Sequence, residues 1–182
     1  MVKMMATAAA VAFIVYSCKS KLSVADRLDL STTPLQVVDS MCMYQTENGK
    51  IQMRTVTKEM QRYDNDTLSR EYFPEGLRVY AYTDDEVLES TIVSDEASHE
   101  KNKKSGEEIW KAFGNVVVKN IVKQQTMETD TIYWDRTKKE IFTDCYVRMY
   151  SPDGLMQGYG MRSDERARNS ILRPFPSILS IL

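Results

Sequence analysis

Cys18 is the residue whose surroundings most specifically predict a chemical modification. It follows an uncharged, largely apolar run over residues 4–17, and one positive charge, Lys3, precedes that run. A short positive region before such a run is typical of a secretory signal, and the run is shorter than the ~20 residues of a comfortable membrane span. Val15, a small serine at 17 and then the cysteine resemble the site at which bacterial lipoproteins are cleaved and acylated. The sequence therefore predicts an exported lipoprotein acylated at Cys18, with an uncleaved short anchor as the alternative.

Cys42 and Cys145 are the other two cysteines. A disulfide can persist in the exported compartment that the signal predicts, but the sequence does not place the two Cα atoms within bonding distance. We expect two free, buried thiols, and a Cys42–Cys145 bridge stays open as the alternative.

His99 is the one histidine of the chain, which limits the reactions that the protein could catalyse. No other histidine or cysteine stands near it at metal-ligand spacing, and any triad that uses a histidine must include it. Its neighbours are polar, so we expect an exposed loop residue. The chain has no glycine-rich phosphate loop, no Gly-x-Ser-x-Gly and no His-Glu-x-x-His motif. The sequence therefore predicts no enzyme, no metal site and no cofactor.

Length and composition fit one folded domain behind a targeting segment. The 182 residues have a formal net charge of -2 with interspersed signs, whereas nucleic-acid binders usually show a clustered basic face. Methionine, present eleven times, suits a surface that grips variable acyl chains, or a loosely filled core. The predicted segments are a signal (1–17), a polar tether (18–33), the domain (34–164) and a C-terminal tail (165–182).

Short runs of β-branched and aromatic residues fill the predicted domain, with turn residues between them. Asn48-Gly49 and Pro74-Glu75-Gly76 are two of these turns. Residues 95–108 are charged and without clear period, and 101–106 are expected to form an exposed turn. The predicted strands are 35–44, 51–60, 68–73, 77–82, 87–93, 109–113, 116–120, 126–134 and the two arms of 141–161. This spacing of turn signals predicts an all-β fold of stacked hairpins.

The most specific hairpin covers residues 141–161, around the turn Ser-Pro-Asp-Gly. Pro152 presets the backbone angle of the second turn position, and Gly154 accepts an angle that other residues resist. Because residues i and i+2 of a strand share a face, Val147 falls on an apolar face and Arg148 on an aromatic and charged one. This pattern is typical of an antiparallel sheet with one covered face.

Four short motifs, in this order, carry a resemblance to a known family. They are Glu-Tyr-Phe-Pro-Glu-Gly-Leu at 71–77, Gly-Asn-Val at 114–116, Met-Glu-Thr-Asp-Thr-Ile-Tyr-Trp-Asp at 127–135 and Gly-Tyr-Gly-Met-Arg-Ser-Asp at 158–164. The chain resembles the periplasmic lipopolysaccharide-export component LptC, in particular the lipoprotein versions found in Bacteroidetes. The similarity covers about two thirds of the chain, residues 41–164.

The resemblance implies both a fold and a function. It implies an open, twisted β-jellyroll, a V-shaped pair of antiparallel sheets whose apolar interior receives the acyl chains of lipopolysaccharide. The domain would accept this lipid from an inner-membrane ABC transporter and pass it to a periplasmic LptA-like bridge protein, joined by strand addition at a sheet edge. It would be a periplasmic relay tethered to the inner membrane. Alternation along the strands selects these candidate groove residues: Val79, Ala81, Val116, Val118, Ile132, Trp134, Val147 and Met149.

Two other functions stay open from the sequence. A structural envelope lipoprotein would bind a protein partner by sheet-edge addition without carrying lipid, and it would have a closed core. An exported glycan-active enzyme would need two carboxylates facing one cleft. The prolines of the tail exclude pairing as a central strand, so we expect the tail either to cap the edge where a bridge protein would dock or to be mobile.

Overall fold

The computed structural model describes residues 32–164 and 171–172, and the regular structure in these residues is all β-strand. The strands are β1 (Gln36–Glu47), β2 (Lys50–Asp64), β3 (Leu68–Phe73), β4 (Leu77–Tyr82), β5 (Leu88–Ser94), β6 (Glu96–Asn102), β7 (Glu108–Asn120), β8 (Gln125–Asp135), β9 (Glu140–Ser151), β10 (Gly154–Asp164) and β11 (Ile171–Leu172). They pair antiparallel throughout. The predicted all-β fold of antiparallel hairpins is confirmed. The predicted signal and Cys18 lie outside the described residues.

Two predicted turns form as their residue types require. Glu47 pairs with Lys50 across Asn48 (φ 52°) and Gly49 (φ 78°), and positive φ at both central residues defines a type I′ hairpin turn. β9 and β10 form the predicted hairpin around Pro-Asp, with Ser151 opposite the following glycine. Local turn chemistry therefore sets the register of both hairpins.

The long strands β2 and β7 each pair with two short strands along one side. The first part of β2 pairs with β4 and its last part with β3, whereas the first part of β7 pairs with β6 and its last part with β5. β3 also pairs with β6, and β4 with β5. Between β2 and β7 the sheet therefore has two parts, one that contains β4 and β5 and another that contains β3 and β6. Both long strands run through both parts.

A bend crosses the long strands where the two parts meet, and we call this line the crease. On β7 the register with β8 shifts at Gly114 (φ 73°) and Asn115 (φ 48°), so one bulged strand replaces the two predicted at 109–113 and 116–120. The pairing of β8 with β9 shifts after Thr129, and that of β9 with β10 shifts at Gly160 (φ 76°). On the edge strand β1, Ser40 has φ 56°, and the register with β2 shifts further along, between Gln45 and Thr46. Bulges bend a strand and increase its twist, so together they fold the sheet.

Hydrogen bonds and one close backbone approach hold the crease. Thr57 Oγ1 on β2 donates to the carbonyl oxygen of Gly76, 2.8 Å away, and Asn115 Nδ2 donates to the Asp95 carboxylate at 2.6 Å. Gly76 has φ 87°, and a Cβ at this position would lie 2.9 Å from the carbonyl oxygen of Ser94. The β3–β4 turn thus contacts both β2 and the corner between β5 and β6, and only glycine fits at its closest point.

Two apolar clusters lie inside the fold. The buried members of the first are Val116, Met127, Ile132, Val147, Met149 and Met161. Those of the second are Met60, Phe73, Leu77 and Ala97. Each cluster contains residues from both sides of the crease, so the two parts of the sheet pack face to face as the layers of a β-jellyroll. We call the faces that carry these clusters the inner faces.

β6 is a strand that the sequence does not predict. Its residues, Glu-Ala-Ser-His-Glu-Lys-Asn, are mostly polar and lack the β-branched and aromatic types that favour strands. It pairs along one edge with β3 and along the other with β7, so its neighbours impose the extended backbone. The turn predicted at 101–106 is confirmed from Lys103 onward, where the chain is exposed.

The sheet has two edges with unpaired stretches. Within the described residues β1 pairs with β2 alone, so its other side has no strand partner. β11 pairs with β10 at Met161 and Arg162, and residues 154–158 of β10 have no second strand beside them in the part of the chain described. Two residues of the predicted tail therefore cover the end of one edge.

Candidate functional site

The eight candidate groove residues lie on the inner faces, and the structure gathers five of them in or against the first cluster. These five are Val116, Val118, Ile132, Val147 and Met149. Val79 packs against the second cluster, and Ala81, two residues further along β4, shares its face. Trp134 lies opposite Trp110 on one side and Ile141 on the other. The candidates therefore spread over two clusters and one end of the interior.

The centre of the first cluster is closed to solvent. Val116 and Val147 each have 0% relative exposure, so the side chains of the two layers fill the space between them. Half of the six buried members are methionines: Met127, Met149 and Met161. Methionine is unbranched and flexible, so it adapts to irregular shapes more easily than valine or isoleucine.

The inner face becomes charged towards the β6–β7 and β8–β9 turns, where His99 lies between two carboxylates. Its Nδ1 is 3.1 Å from Glu71 Oε2, and its Nε2 is 3.0 Å from Glu108 Oε1. Arg136 Nη1 donates to the same Glu108 oxygen at 2.9 Å. The imidazole stacks on Trp110 with centroids 4.2 Å apart. A carboxylate accepts but does not donate, so a ring nitrogen that carries a hydrogen can donate it to the carboxylate beside it.

The expectation that His99 is an exposed loop residue is wrong. It lies on β6 with an 18% exposed side chain, and its carboxylate partners come from β3 and β7. Glu71 is 28 positions away in sequence and Glu108 is nine, so only strand pairing brings the three together. The network ties three strands, and no cluster of three His, Cys, Asp or Glu side chains within residues 32–164 and 171–172 could hold a metal ion.

Acid will destabilise the domain through this network. The hydrogen bond from His99 lowers the pKa of Glu71 below its ordinary 4.5. Burial raises the pKa of Glu108, but hydrogen bonds and charges from Arg136 and His99 outweigh it and lower the value overall. A carboxyl with a depressed folded pKa stabilises the fold above its unfolded pKa, and this contribution is lost as pH falls through the folded pKa. The free energy of unfolding will therefore fall as the pH drops below 4.5.

Urea unfolding followed between about pH 3 and about pH 7 measures this effect. Glu71→Gln will lower the free energy of unfolding by about 1–2 kcal/mol at neutral pH, since it removes a charged hydrogen-bond acceptor, and it will flatten the acid limb. Glu47→Gln, at an exposed residue beside the β1–β2 turn, is the matched control and will leave the curve unchanged. An acid limb equally steep in the Glu71 variant and the wild-type protein would contradict this role.

The outer face of the same layer carries rings and cations. Tyr133 and Phe142 stack with centroids 5.0 Å apart, and the Arg162 guanidinium lies 5.1 Å from the Phe142 centroid. Lys111 Nζ lies 5.7 Å from the centroid of Tyr133, its partner across β7 and β8. Cross-strand pairs of this kind stabilise a sheet by a few tenths of a kcal/mol, up to about 1 kcal/mol each. The prediction of one apolar and one aromatic, charged face is confirmed on β9, where Val147 and Met149 are buried and Arg148 and Tyr150 are exposed, but it does not hold at the end of the inner face around His99.

Both described cysteines are free, so the alternative of a Cys42–Cys145 bridge is not realised. The expectation of two free thiols is confirmed, but not their burial, because Cys42 is exposed on the edge strand and Cys145 is half-buried on β9.

The fold and its interior define a class of protein: a two-layer antiparallel β-jellyroll with apolar inner faces. One family model, described as lipopolysaccharide-assembly, LptC-related, matches residues 5–172. No curated protein matches the sequence. Because the family match covers nearly the whole chain, this protein belongs to the LptC family, and the resemblance carried by the four motifs is confirmed.

Membership of this family makes the chain a component of lipopolysaccharide transport in the periplasm, in a family associated with transport rather than with catalysis. In the part of the chain that the structure describes, no helix is long and apolar enough to span a membrane.

Proposed function

We propose that the domain is a passive relay that holds the acyl chains of lipopolysaccharide between its two layers. It accepts the lipid from an inner-membrane ABC transporter and passes it to an LptA-like periplasmic bridge protein. The observation that carries the proposal is the first cluster, an apolar interior built from long, central strands with methionine in half of its buried positions. Such a core can exchange its own side chains for chains of a ligand.

Acyl-chain burial alone supplies enough affinity for this role. Each methylene removed from water contributes roughly 0.8 kcal/mol, so a few chains bind without specific polar contacts. Displacing Met127, Met149 and Met161 from the cluster offsets part of this gain, which leaves the lipid held but exchangeable. Hydrolysis of ATP takes place in the transporter, and the domain supplies only an apolar path for the acyl chains.

The two incompletely paired edges support transfer between proteins. A neighbouring jellyroll could continue the sheet at β1 or at residues 154–158 of β10, which have no second strand beside them in the described part of the chain, since unpaired backbone groups accept an added strand. β1 also exposes apolar side chains, with Val37 at 53% and Tyr44 at 54% relative exposure. An added strand would cover such side chains as well as the backbone.

Acylation at Cys18 would keep the domain close to the inner membrane. β1 begins at Gln36, eighteen residues after the cysteine. At about 3.5 Å per fully extended residue the tether reaches at most about 60 Å. That distance holds the domain near a transporter in the same membrane.

Crosslinking from defined positions tests the relay. A photoreactive phenylalanine analogue at Met149 or Trp134, on the inner faces, will crosslink to lipopolysaccharide in cells. The same probe at Tyr146, which lies on the outer face of β9 between Cys145 and Val147, will not. Lipid crosslinks confined to the Tyr146 probe would show that the inner faces do not carry the lipid.

The closed centre of the first cluster favours a second candidate function. With Val116 and Val147 at 0% exposure, the domain could be a structural envelope lipoprotein that binds a protein partner at a sheet edge and carries no lipid. In that case none of the three probes will crosslink to lipid, whereas probes on β1 or β10 will crosslink to protein.

A further inference from the structure

One end of the inner face grades from charged to apolar in three successive rows of residues, each following the strand register. The row nearest the turns is charged: Lys101 lies opposite Glu108, which binds Arg136. The next row, the tryptophan row, consists of Glu71, His99, Trp110, Trp134 and Ile141. The third row is apolar and consists of Phe73, Ala97, Ala112 and Ile132. From the turns inwards, the three rows are therefore charged, then aromatic, then apolar.

The two indoles at the centre of the tryptophan row have unpaired N–H groups. Trp110 Nε1 and Trp134 Nε1 each have less than 1 Å² of accessible surface, and neither has a hydrogen-bond partner among the described residues. Indole nitrogen can only donate, and a buried donor without an acceptor costs free energy. The two residues that carry these donors are paired in register on β7 and β8. A pair of adjacent unsatisfied donors points to acceptors that a ligand supplies.

The charges around the pair limit what that ligand can be. His99 stacks on Trp110, and the Arg136 guanidinium lies 5.4 Å from the Trp134 ring centroid. The imidazole and the guanidinium are each already in contact with Glu71 or Glu108. The indoles therefore sit between neutralised charge and the apolar row that begins with Phe73. Tryptophan prefers such a boundary, with one side apolar and the other wet. Ester and amide carbonyls of an acylated lipid occupy the same boundary in that lipid.

We propose that Trp110 and Trp134 bind the acyl carbonyl oxygens at the junction between the headgroup and the chains of an acylated amphiphile. The headgroup then lies beside Glu108 and Arg136, and the acyl chains run past Ala112 towards the crease. This inference rests on the proposed function, because it gives the lipid a direction within the interior. It adds a polar binding point, which burial of acyl chains does not require.

The indole N–H groups themselves report this contact. The chain has two tryptophans, so a ¹⁵N-labelled full-length protein gives two indole N–H resonances, assigned with Trp110→Phe and Trp134→Phe. Dodecyl maltoside micelles, which offer alkyl chains without carbonyl or phosphate, supply the baseline. Lipid A, with ester- and amide-linked chains, will shift both indole protons downfield. Dodecyl phosphate will not. An equal shift with dodecyl phosphate would assign the acceptor to phosphate and overturn the proposal.

Affinity and stability will change in opposite directions in the double variant Trp110→Phe, Trp134→Phe, which keeps a ring at both sites. Loss of two hydrogen bonds will weaken lipid A binding about 5- to 30-fold. The free energy of unfolding without lipid will stay the same or rise, because an unpaired donor has been removed at each site. A purely structural role predicts the reverse, lower stability with unchanged affinity, and that result would also overturn the proposal.

The two experiments distinguish failure of this inference from failure of the proposed relay. Lipid crosslinks from Met149 without an indole shift would remove the tryptophan site and leave the relay standing. If lipid A neither crosslinks nor shifts either resonance, both proposals fall.

Discussion

Gly76→Ala will lower the free energy of unfolding by about 2–4 kcal/mol. Two effects add at this residue. Its φ of 87° is one that alanine resists, and the new Cβ would lie 2.9 Å from the Ser94 carbonyl oxygen. That oxygen belongs to the backbone at the β5–β6 corner, so it cannot rotate away as a side chain could. The β3–β4 turn would have to move, and with it the acceptor of the Thr57 hydrogen bond. Urea unfolding of the purified protein measures the loss.

Gly106→Ala separates the two effects. Gly106 has φ 74° in the exposed β6–β7 turn, and nothing lies within 4 Å of the position that an alanine methyl group would take there. Its substitution carries the backbone penalty alone, about 1–2 kcal/mol. If both variants lose the same stability, close packing at the crease contributes nothing, and the explanation given for Gly76 is wrong.

Cys18→Ala will abolish fatty-acid labelling of the protein. Acylation forms a thioether to the cysteine sulfur, and cleavage before the cysteine follows acylation, so alanine blocks both steps. The variant will keep residues 1–17 and migrate as the longer precursor. Growth of cells with radiolabelled palmitate, followed by immunoprecipitation and electrophoresis, measures label and length together.

Cys42→Ala is the control for this prediction, because Cys42 is the exposed thiol of the folded domain. This variant will remain labelled and cleaved like the wild-type protein. Label that persists in the Cys18 variant would contradict acylation at Cys18. Unlabelled, uncleaved wild-type protein would instead support the uncleaved short anchor.

The sequence predicts those parts of the fold that depend on neighbouring residues. Asn48-Gly49 has the backbone freedom of a type I′ turn, and the strand predicted at 77–82 coincides with β4 (Leu77–Tyr82). The crease is not predicted, because a bulge depends on the partner strand as much as on its own residues. Gly114 and Asn115 look like the gap between two strands, and only their pairing with β8 shows one continuous strand.

Alternation predicts which residues of a strand face the interior, but it does not predict how these residues group into clusters. Period-2 alternation places Val147 and Met149 on one side of β9, which the structure shows as buried. Alternation does not reveal that the apolar residues divide into two clusters, since this division follows from the crease. Nor does it reveal the His99 network, whose members belong to strands far apart in the chain. The polar sequence of β6 does not indicate a strand, and the network forms because β6 pairs with β3 and β7.

The backbone of β1 also affects how another strand can join the sheet. On β1, Ser40 has φ 56°, although the strand keeps one register with β2 on both sides of it, from Gln36 to Gln45. Within the described residues, a strand added to the other side of β1 would therefore meet two regular stretches, residues 36–39 and 41–45, separated by one residue of left-handed backbone. The register between β1 and β2 shifts only beyond Gln45, so the pairing of an added strand is most regular before that point.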